Sequence, residues 1–379
     1  MSGEVESKNG DITDTQNELE INKLFRIVTK HDGSDLHLKV GSPPLMRLAG
    51  QLRQMQLPEM STSDLAKLTL PMLNDRLNRV LEETGGVDFA HILPNEEGRF
   101  RVNLFRQRGK LSLVGRRVNN EIPDFKSLHL PPILEELSAF TQGMILLAGV
   151  TGSGKSTTIA SMIEYINQKR RVHIVTVEDP IEFLFKDKKS IVNQREVGMD
   201  VIDWETAMKH VVREDPDVIF VGEMRDKDTF QTALQAAETG HLVFGTIHAS
   251  TAPSTIGRIL DLFPTAMHES LRSSLAFNMR AIIAQKLLPS IREEVQRVPV
   301  CEIMVFNPTV QKLVLESDDE KLADAIAIAS GEGMRDFTES LKELIEQEFI
   351  ERAAAFEVAP SAERLRMALK GIKFERGIL

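Results

Sequence analysis

The sequence predicts an α/β protein: a buried parallel sheet with intervening helices, preceded by a small α+β domain and followed by a helical region. Three observations carry this. From about residue 140, the apolar runs at 144–147, 174–177, 218–221 and 242–244 do not alternate with polar residues and are separated by helix-compatible stretches. That is the pattern of strands covered on both faces. Before residue 120 the strands alternate instead, as in Leu36-His37-Leu38-Lys39-Val40, which predicts a half-buried sheet. Finally, Gly149-Val150-Thr151-Gly152-Ser153-Gly154-Lys155-Ser156 follows the first continuous run with the spacing G-x-x-x-x-G-K-[ST].

Residues 1–17 are polar and acidic, too poor in apolar surface to order themselves, and are expected to form a flexible tail. Ile21, Leu24, Phe25 and Val28 recur at helical spacing, and Asp32-Gly33-Ser34-Asp35 ends that helix. The strand at 36–40 stops at Pro43-Pro44, and a second short strand is expected at 45–49. Leu65, Leu68, Leu73 and Leu77 mark helical turns with a break at Pro71. Strands at 88–93, 98–105 and 111–118 complete an α+β domain over 18–120. Residues 121–135, with Pro123 and Pro131-Pro132, read as a linker, 136–310 as the parallel-sheet core and 311–379 as the helical region. In that last region Met334, Phe337, Leu341, Leu344 and Ile345 mark one face of an amphipathic helix.

The chain has 379 residues, 42% of them hydrophobic and 27% charged, enough for two or three packed domains. Its net charge of -10 disfavours a nucleic-acid partner. The most basic stretch, Lys186, Lys188, Lys189 and Arg195, reads as a solvated loop. The single cysteine, Cys301, excludes an internal disulfide and a four-cysteine zinc site within one chain. Beside Val300 and Ile303 it reads as a small core residue. The longest apolar run, 144–150, is too short to cross a bilayer. Direct membrane insertion is therefore not expected. The first residues carry neither a basic nor an apolar leader segment, so a cytoplasmic location is expected.

The chemistry rests first on Gly149 to Ser156. Backbone N–H groups must converge on phosphate oxygens, and glycines allow the loop that conformation. The helix that follows adds the positive end of its dipole. Gly149, Thr151, Gly152, Ser153, Gly154, Lys155, Ser156 and Thr157 are the candidate ATP-binding residues. Lys155 is expected to reach the β- and γ-phosphates and the Ser156 hydroxyl to ligate Mg²⁺. Two later strands end in acids: 174–177 runs into Glu178-Asp179-Pro180, and 218–221 into Gly222-Glu223. Ligands of open parallel sheets lie beyond the carboxyl ends of the strands, so both acids are placed for phosphate chemistry. Each alone could be a solvated loop acid; two beside one phosphate loop weaken that reading.

These residues carry a resemblance. Thr176-Val177-Glu178-Asp179-Pro180-Ile181-Glu182-Phe183 resembles the Asp box of the type IV pilus retraction ATPases, the PilT/PilU family of the secretion ATPase superfamily. The stretch from Asp215 to Asp226 resembles that family's Walker B segment, and the stretch from Thr239 to His248 its His box. Ser34-Asp35-Leu36-His37-Leu38, with Gly41 and Pro43-Pro44, resembles the opening of its N-terminal domain. Gly333-Met334, with Phe337, Ser340 and Leu341, resembles its helical tail. The match runs from about residue 20 to 350, with the boxes in family order.

The resemblance implies a RecA-like P-loop ATPase core preceded by a PAS-like domain. It implies that Glu178 orients or deprotonates the attacking water and that Glu223 acts on Mg²⁺ directly or through water. His241 would sense the γ-phosphate or relay across a ring, with His248 a weaker candidate. Arg101 and Arg116 resemble arginines that approach the γ-phosphate, and Arg116 could be confused with Arg117. Arg258 or Arg280 could act across a subunit boundary instead. The Walker B position holds Gly222 where many P-loop proteins place an aspartate, as is normal in this family. Implied partners are a homo-hexamer, an inner-membrane pilus platform protein that would hold the chain at the membrane periphery, and a paralogous retraction ATPase.

The implied activity is ATP hydrolysis that drives pilus retraction. The segment Ala-Ile-Arg-Asn-Leu-Ile-Arg-Glu of the principal retraction motors is absent, which tilts the expectation toward an accessory, PilU-like member. A regulatory nucleotide-binding subunit with weak turnover stays open. So does an extension or secretion ATPase, although these usually carry a tetracysteine module that one cysteine cannot supply. A small-molecule kinase built on a P-loop is disfavoured by the extra N-terminal domain and the His box.

Overall fold

A computed structural model describes residues 19–118 and 121–372. The chain divides into two compact units between residues 119 and 120. The first is a six-stranded antiparallel sheet of β1 (Asp35–Lys39), β2 (Leu45–Leu48), β3 (Gln51–Gln54), β4 (Gly86–Ile92), β5 (Arg99–Gln107) and β6 (Lys110–Val118). Its strand order is β3-β2-β1-β6-β5-β4. The helix Ile21–Lys30 buries Ile21, Leu24, Phe25 and Val28 in the same cluster as Leu36, Leu38, Phe100 and Val102 of the sheet. The expected break at Pro71 is a short 3-10 turn, Leu70–Met72, between the helices Thr62–Thr69 and Asp75–Thr84. β3 has no sequence signature because all four of its residues are exposed, so no apolar alternation marks it.

The second unit holds a seven-stranded sheet of β7 (Gly143–Ala148), β8 (His173–Glu178), β9 (Ile191–Glu196), β10 (Val218–Val221), β11 (Leu242–Ile247), β12 (Met279–Pro289) and β13 (Arg297–Val305). The order is β13-β12-β7-β11-β10-β8-β9. All neighbours are parallel except β12 and β13, which form an antiparallel hairpin. The continuous apolar runs behave as two-sided strands. Met144, Leu146 and Ala148 enter one core, while Ile145 and Leu147 enter the core on the other face. The helix Lys155–Lys169 closes the second face with Ile159, Met162, Ile163 and Ile166.

Two stretches differ from expectation. Residues 121–135 are not a free connection: Phe125, Leu130 and Leu134 are buried in the core under the helix Lys155–Lys169, and the helix Ile133–Ser138 begins inside the stretch. Prolines and a composition shift resemble a linker, but these three side chains have apolar surface to bury. The helical region after 310 shares the core of the sheet itself. Met334, Phe337, Leu341, Leu344 and Ile345 are all buried in the cluster that contains Met144 and Leu146. β12 escaped the sequence reading because it follows the helix His268–Asn278 without a turn residue between them. Cys301 is fully buried on β13, and burial pushes its thiol up to about 12, which leaves it inert. Among the described residues no helix is long and apolar enough to cross a membrane.

Candidate active site at the carboxyl edge of the parallel sheet

β7 ends at Ala148, and the next residues form the phosphate loop before the helix Lys155–Lys169. Gly149, Gly152 and Gly154 have φ values of 152°, 78° and 88°, which side-chain-bearing residues rarely adopt. Gly154 caps the helix in a left-handed conformation. The loop opens on a cavity of about 330 Å³, in the size range of ligand pockets. Of the candidate phosphate-loop residues, Thr151, Gly152, Gly154, Lys155, Ser156 and Thr157 line it, and Gly149 and Ser153 do not.

Lys155 is buried, and its ammonium donates to the loop's own carbonyls, Gly149 O at 2.8 Å and Val150 O at 3.0 Å. Burial pulls its pKa below the ordinary lysine value, and the carboxylates of Glu223 and Glu182 oppose that pull. The Ser153 hydroxyl is buried without a hydrogen-bond partner among the described residues.

The two predicted acids meet in this cavity. Glu178, the last residue of β8, is 5% exposed. Its Oε1 accepts from Thr176 Oγ1 at 2.7 Å and from Gln194 Nε2 at 3.3 Å, and its Oε2 from the Glu182 N–H at 3.4 Å. Burial outweighs these donors and pushes its pKa up to about 7. Glu223 follows β10 and behaves oppositely. Its Oε2 accepts from Arg225 Nη2 at 2.6 Å, and its Oε1 lies 2.9 Å from His248 Nε2. The Arg225 guanidinium holds its carboxyl below the usual range. One carboxylate is thus poised to exchange a proton near neutrality and the other is kept ionised.

At the Walker B position, Gly222 leaves little room for a side chain. A Cβ there would lie 3.3 Å from both Glu178 Cα and Val177 O. The Gly222 carbonyl is also taken, accepting from Thr246 Oγ1 at 2.5 Å.

The histidine assignment needs correction. His241 precedes β11, and β11 pairs with β7 so that Leu242 lies opposite Gly143 and Ile247 opposite Ala148. His241 therefore sits at the amino edge of the sheet, away from the loop that follows Ala148. Its Nδ1 lies 2.8 Å from Ala236 O. His248, at the other end of β11, lines the cavity and meets Glu223. Both histidines belong to the same box, and only strand direction separates their fates. The sequence reading also missed Glu182 and Arg297, which line the cavity, and Arg225. The x-Glu-Asp-Pro-Ile-Glu order could have flagged Glu182; nothing local marks Arg297.

Arg101 and Arg116 belong to the first unit. They are directly opposed on β5 and β6, both exposed on one face, whereas Arg117 is opposed to Phe100. The register separates Arg116 from Arg117, because only Arg116 shares a face with Arg101. Arg116 Nε donates to Asp35 Oδ1 at 2.9 Å. Although burial pushes the Asp35 carboxyl up, hydrogen bonds from Ser34 and Arg116 hold it below the usual range. Arg258 is exposed on the helix Ala252–Leu260. Arg280 is held at the amino end of β12, where its Nε donates to Gln142 O at 3.0 Å. The basic stretch is partly neutralised, with Lys188 paired to Glu164 and Arg195 to Glu214.

Comparison with known proteins places this geometry. Residues 14–299 match the family model described as Type II/IV secretion system protein. The type IV pilus retraction ATPase PilT of Pseudomonas aeruginosa is 38% identical over 91% of this chain and 99% of its own length. The type IV pilus ATPase PilU of the same organism is 35% identical over 93% of this chain and 92% of its own length. These two identities do not separate the principal from the accessory branch. A crystal structure of the pilus retraction motor PilT with bound ADP superposes with a TM-score of 0.84 at 43% identity, covering 92% of this chain and 99% of that one.

Proposed function

The chain belongs to the Type II/IV secretion system protein family, alongside the pilus retraction ATPases, and from that footing we propose that it is an ATP-hydrolysing motor of type IV pilus retraction. The observation that carries this reading is the convergence of Lys155, Glu178 and Glu223 on one cavity at the carboxyl edge of the parallel sheet. What favours turnover over a binding scaffold is placement: Glu178, its carboxyl pushed up by burial, lines the same cavity as the phosphate loop and Glu223, within reach of a water beside a bound phosphate.

The loop amides and the amino end of the helix Lys155–Lys169 receive the β- and γ-phosphates. Lys155 exchanges its bonds to Gly149 O and Val150 O for phosphate oxygens. Glu178 orients the attacking water and takes its proton. The donors fit a hard divalent cation, because the Ser156 hydroxyl and the Glu223 carboxylate line the same cavity. When bound there, Mg²⁺ neutralises phosphate charge. His248, bonded to Glu223, is the histidine placed to respond to the γ-phosphate within this subunit, and His241 keeps only the role of a relay to a neighbouring subunit.

The working form is a homo-hexameric ring in which Arg101 and Arg116 face an anion. Arg101 and Arg116 share one exposed face of the sheet, and with Asp35 holding Arg116 through its Nε, the terminal amino groups of both side chains are left to meet a γ-phosphate. The ring works from the cytoplasm on an inner-membrane platform protein, alone or with a paralogous retraction ATPase. Purified Lys155→Ala protein tests the reading. It is expected to fold, to bind ATP weakly and to lose hydrolysis. Wild-type turnover in the folded variant would overturn the assignment. Deleting the gene should leave long pili and abolish twitching; shortened or absent pili would turn the assignment to extension.

A further inference from the structure

We propose that Gln285 is a positioning residue of the phosphate loop, setting its shape from β12 so that the loop amides and Lys155 meet the nucleotide. The inference rests on the nucleotide reading of the site. Gln285 is 2% exposed and follows Ala281, Ile282, Ile283 and Ala284, all fully buried. A primary amide among such neighbours is costly unless both of its ends are hydrogen-bonded. Both ends are, and both partners belong to the loop and its helix. Gln285 Nε2 donates to Ser153 O at 2.8 Å, and its Oε1 accepts from Thr158 Oγ1 at 2.8 Å.

The backbone contacts repeat the theme. A Cβ on Gly149 would lie 2.6 Å from the Gln285 carbonyl oxygen, and a Cβ on Gly154 would lie 2.7 Å from Gln285 Nε2. Two of the motif's glycines thus pack against this one residue, Gly149 against its backbone carbonyl and Gly154 against its side-chain amide. Gln285 touches the loop at its start, near its end and in the first turn of the helix that follows. It reaches the loop because β12 lies beside β7, with Ala284 opposite Ala148. Packing alone would be served as well by leucine or methionine. The amide's particular work is to hold the Ser153 carbonyl away from the cavity, which turns the next N–H toward the phosphates. Gln285 touches no substrate in this arrangement and acts through Ser153, Gly154 and Thr158.

The test uses the full-length protein, with ADP binding by calorimetry, steady-state hydrolysis and thermal unfolding. Gln285→Met keeps volume and removes both hydrogen bonds. We expect Kd for ADP and KM for ATP to rise about tenfold, or about 1.4 kcal/mol, with a smaller change in kcat and little change in Tm. Thr158→Val removes one of the two bonds from the other side. It is expected to weaken ADP binding in the same direction and to add nothing in a Gln285→Met background. A loss of Tm with unchanged Kd and KM would make Gln285 purely structural and overturn the proposal. If Gln285→Met does not fold, unchanged ADP affinity in Thr158→Val overturns it instead. Lys155→Ala is the control. If that variant also binds ADP normally, the nucleotide reading itself fails; if it alone loses ADP, only the role of Gln285 does.

Discussion

Glu223 and His248 meet through Oε1 and Nε2 at 2.9 Å, although they leave different strands. β10 and β11 run parallel with Val221 opposite Gly245, so the residues that follow each strand arrive at the same edge. The contact places His248 against the acid expected to act on the metal.

His248→Ala should therefore lower kcat on the order of tenfold or more, in the range of lost acid–base or orienting groups. His241→Ala should leave ATP affinity unchanged, because its ring is bonded to Ala236 O at the opposite edge. Paired steady-state and binding measurements decide this. A large loss of ATP affinity in His241→Ala with none of either kind in His248→Ala would reverse the assignment.

Glu178 sets a pH dependence. Its carboxyl must be ionised to accept a proton, and burial has pushed its pKa up to about 7. The rate should climb with pH below about 7 and level above it. Stability runs the other way. A carboxyl whose folded pKa is raised favours the folded state below its unfolded value of 4.5, and that contribution is lost as pH rises through about 7. Glu178→Gln should bind ATP without cleaving it and should gain stability over the wild type as pH rises through that window. Glu302, also pushed up to about 7 by burial, is common to both proteins, so the difference isolates Glu178. Denaturant unfolding at pH 5.5 and 8.5 checks the sign.

Gly222 should not tolerate a side chain. An added Cβ presses on Glu178 Cα and Val177 O. Gly222→Ala should lose about 1–3 kcal/mol to overpacking, and turnover should fall because Glu178 is displaced. Gly222→Asp should be worse, despite restoring the residue many P-loop proteins carry. Urea unfolding and an ATPase assay measure both effects. Full stability in Gly222→Asp would show that the strands can separate there.

The arginine pair tests assembly. Arg101→Ala or Arg116→Ala should impair hydrolysis by roughly a thousandfold, as loss of an arginine finger does, with ATP binding largely kept. Activity per chain should rise with protein concentration as rings form. Light scattering that shows a monomer of full, concentration-independent activity would remove the ring. Asp35→Asn offers a milder probe, since Asp35 orients Arg116 through its Nε.

Much of this was legible from the sequence alone because it is local. The glycine spacing of 149–154, the uninterrupted apolar strands, the alternating strands of the first unit and the acids closing two strands are all properties of neighbouring residues. Those signals sufficed for the α/β class, the strand–loop–helix of the glycine motif, the position of Glu178 and Glu223 at the carboxyl edge of the sheet, and the buried face of Phe337, Leu341 and Leu344. What only the tertiary structure decided depends on register and strand direction. The parallel alignment of β11 with β7 put His248 at the site and His241 at the far edge. The pairing of β5 with β6 put Arg116 rather than Arg117 beside Arg101. The placement of β12 next to β7 brought Gln285 under a loop far away in sequence. Such contacts are set by hydrogen bonds between strands distant along the chain, and no local periodicity encodes which strand will lie beside which.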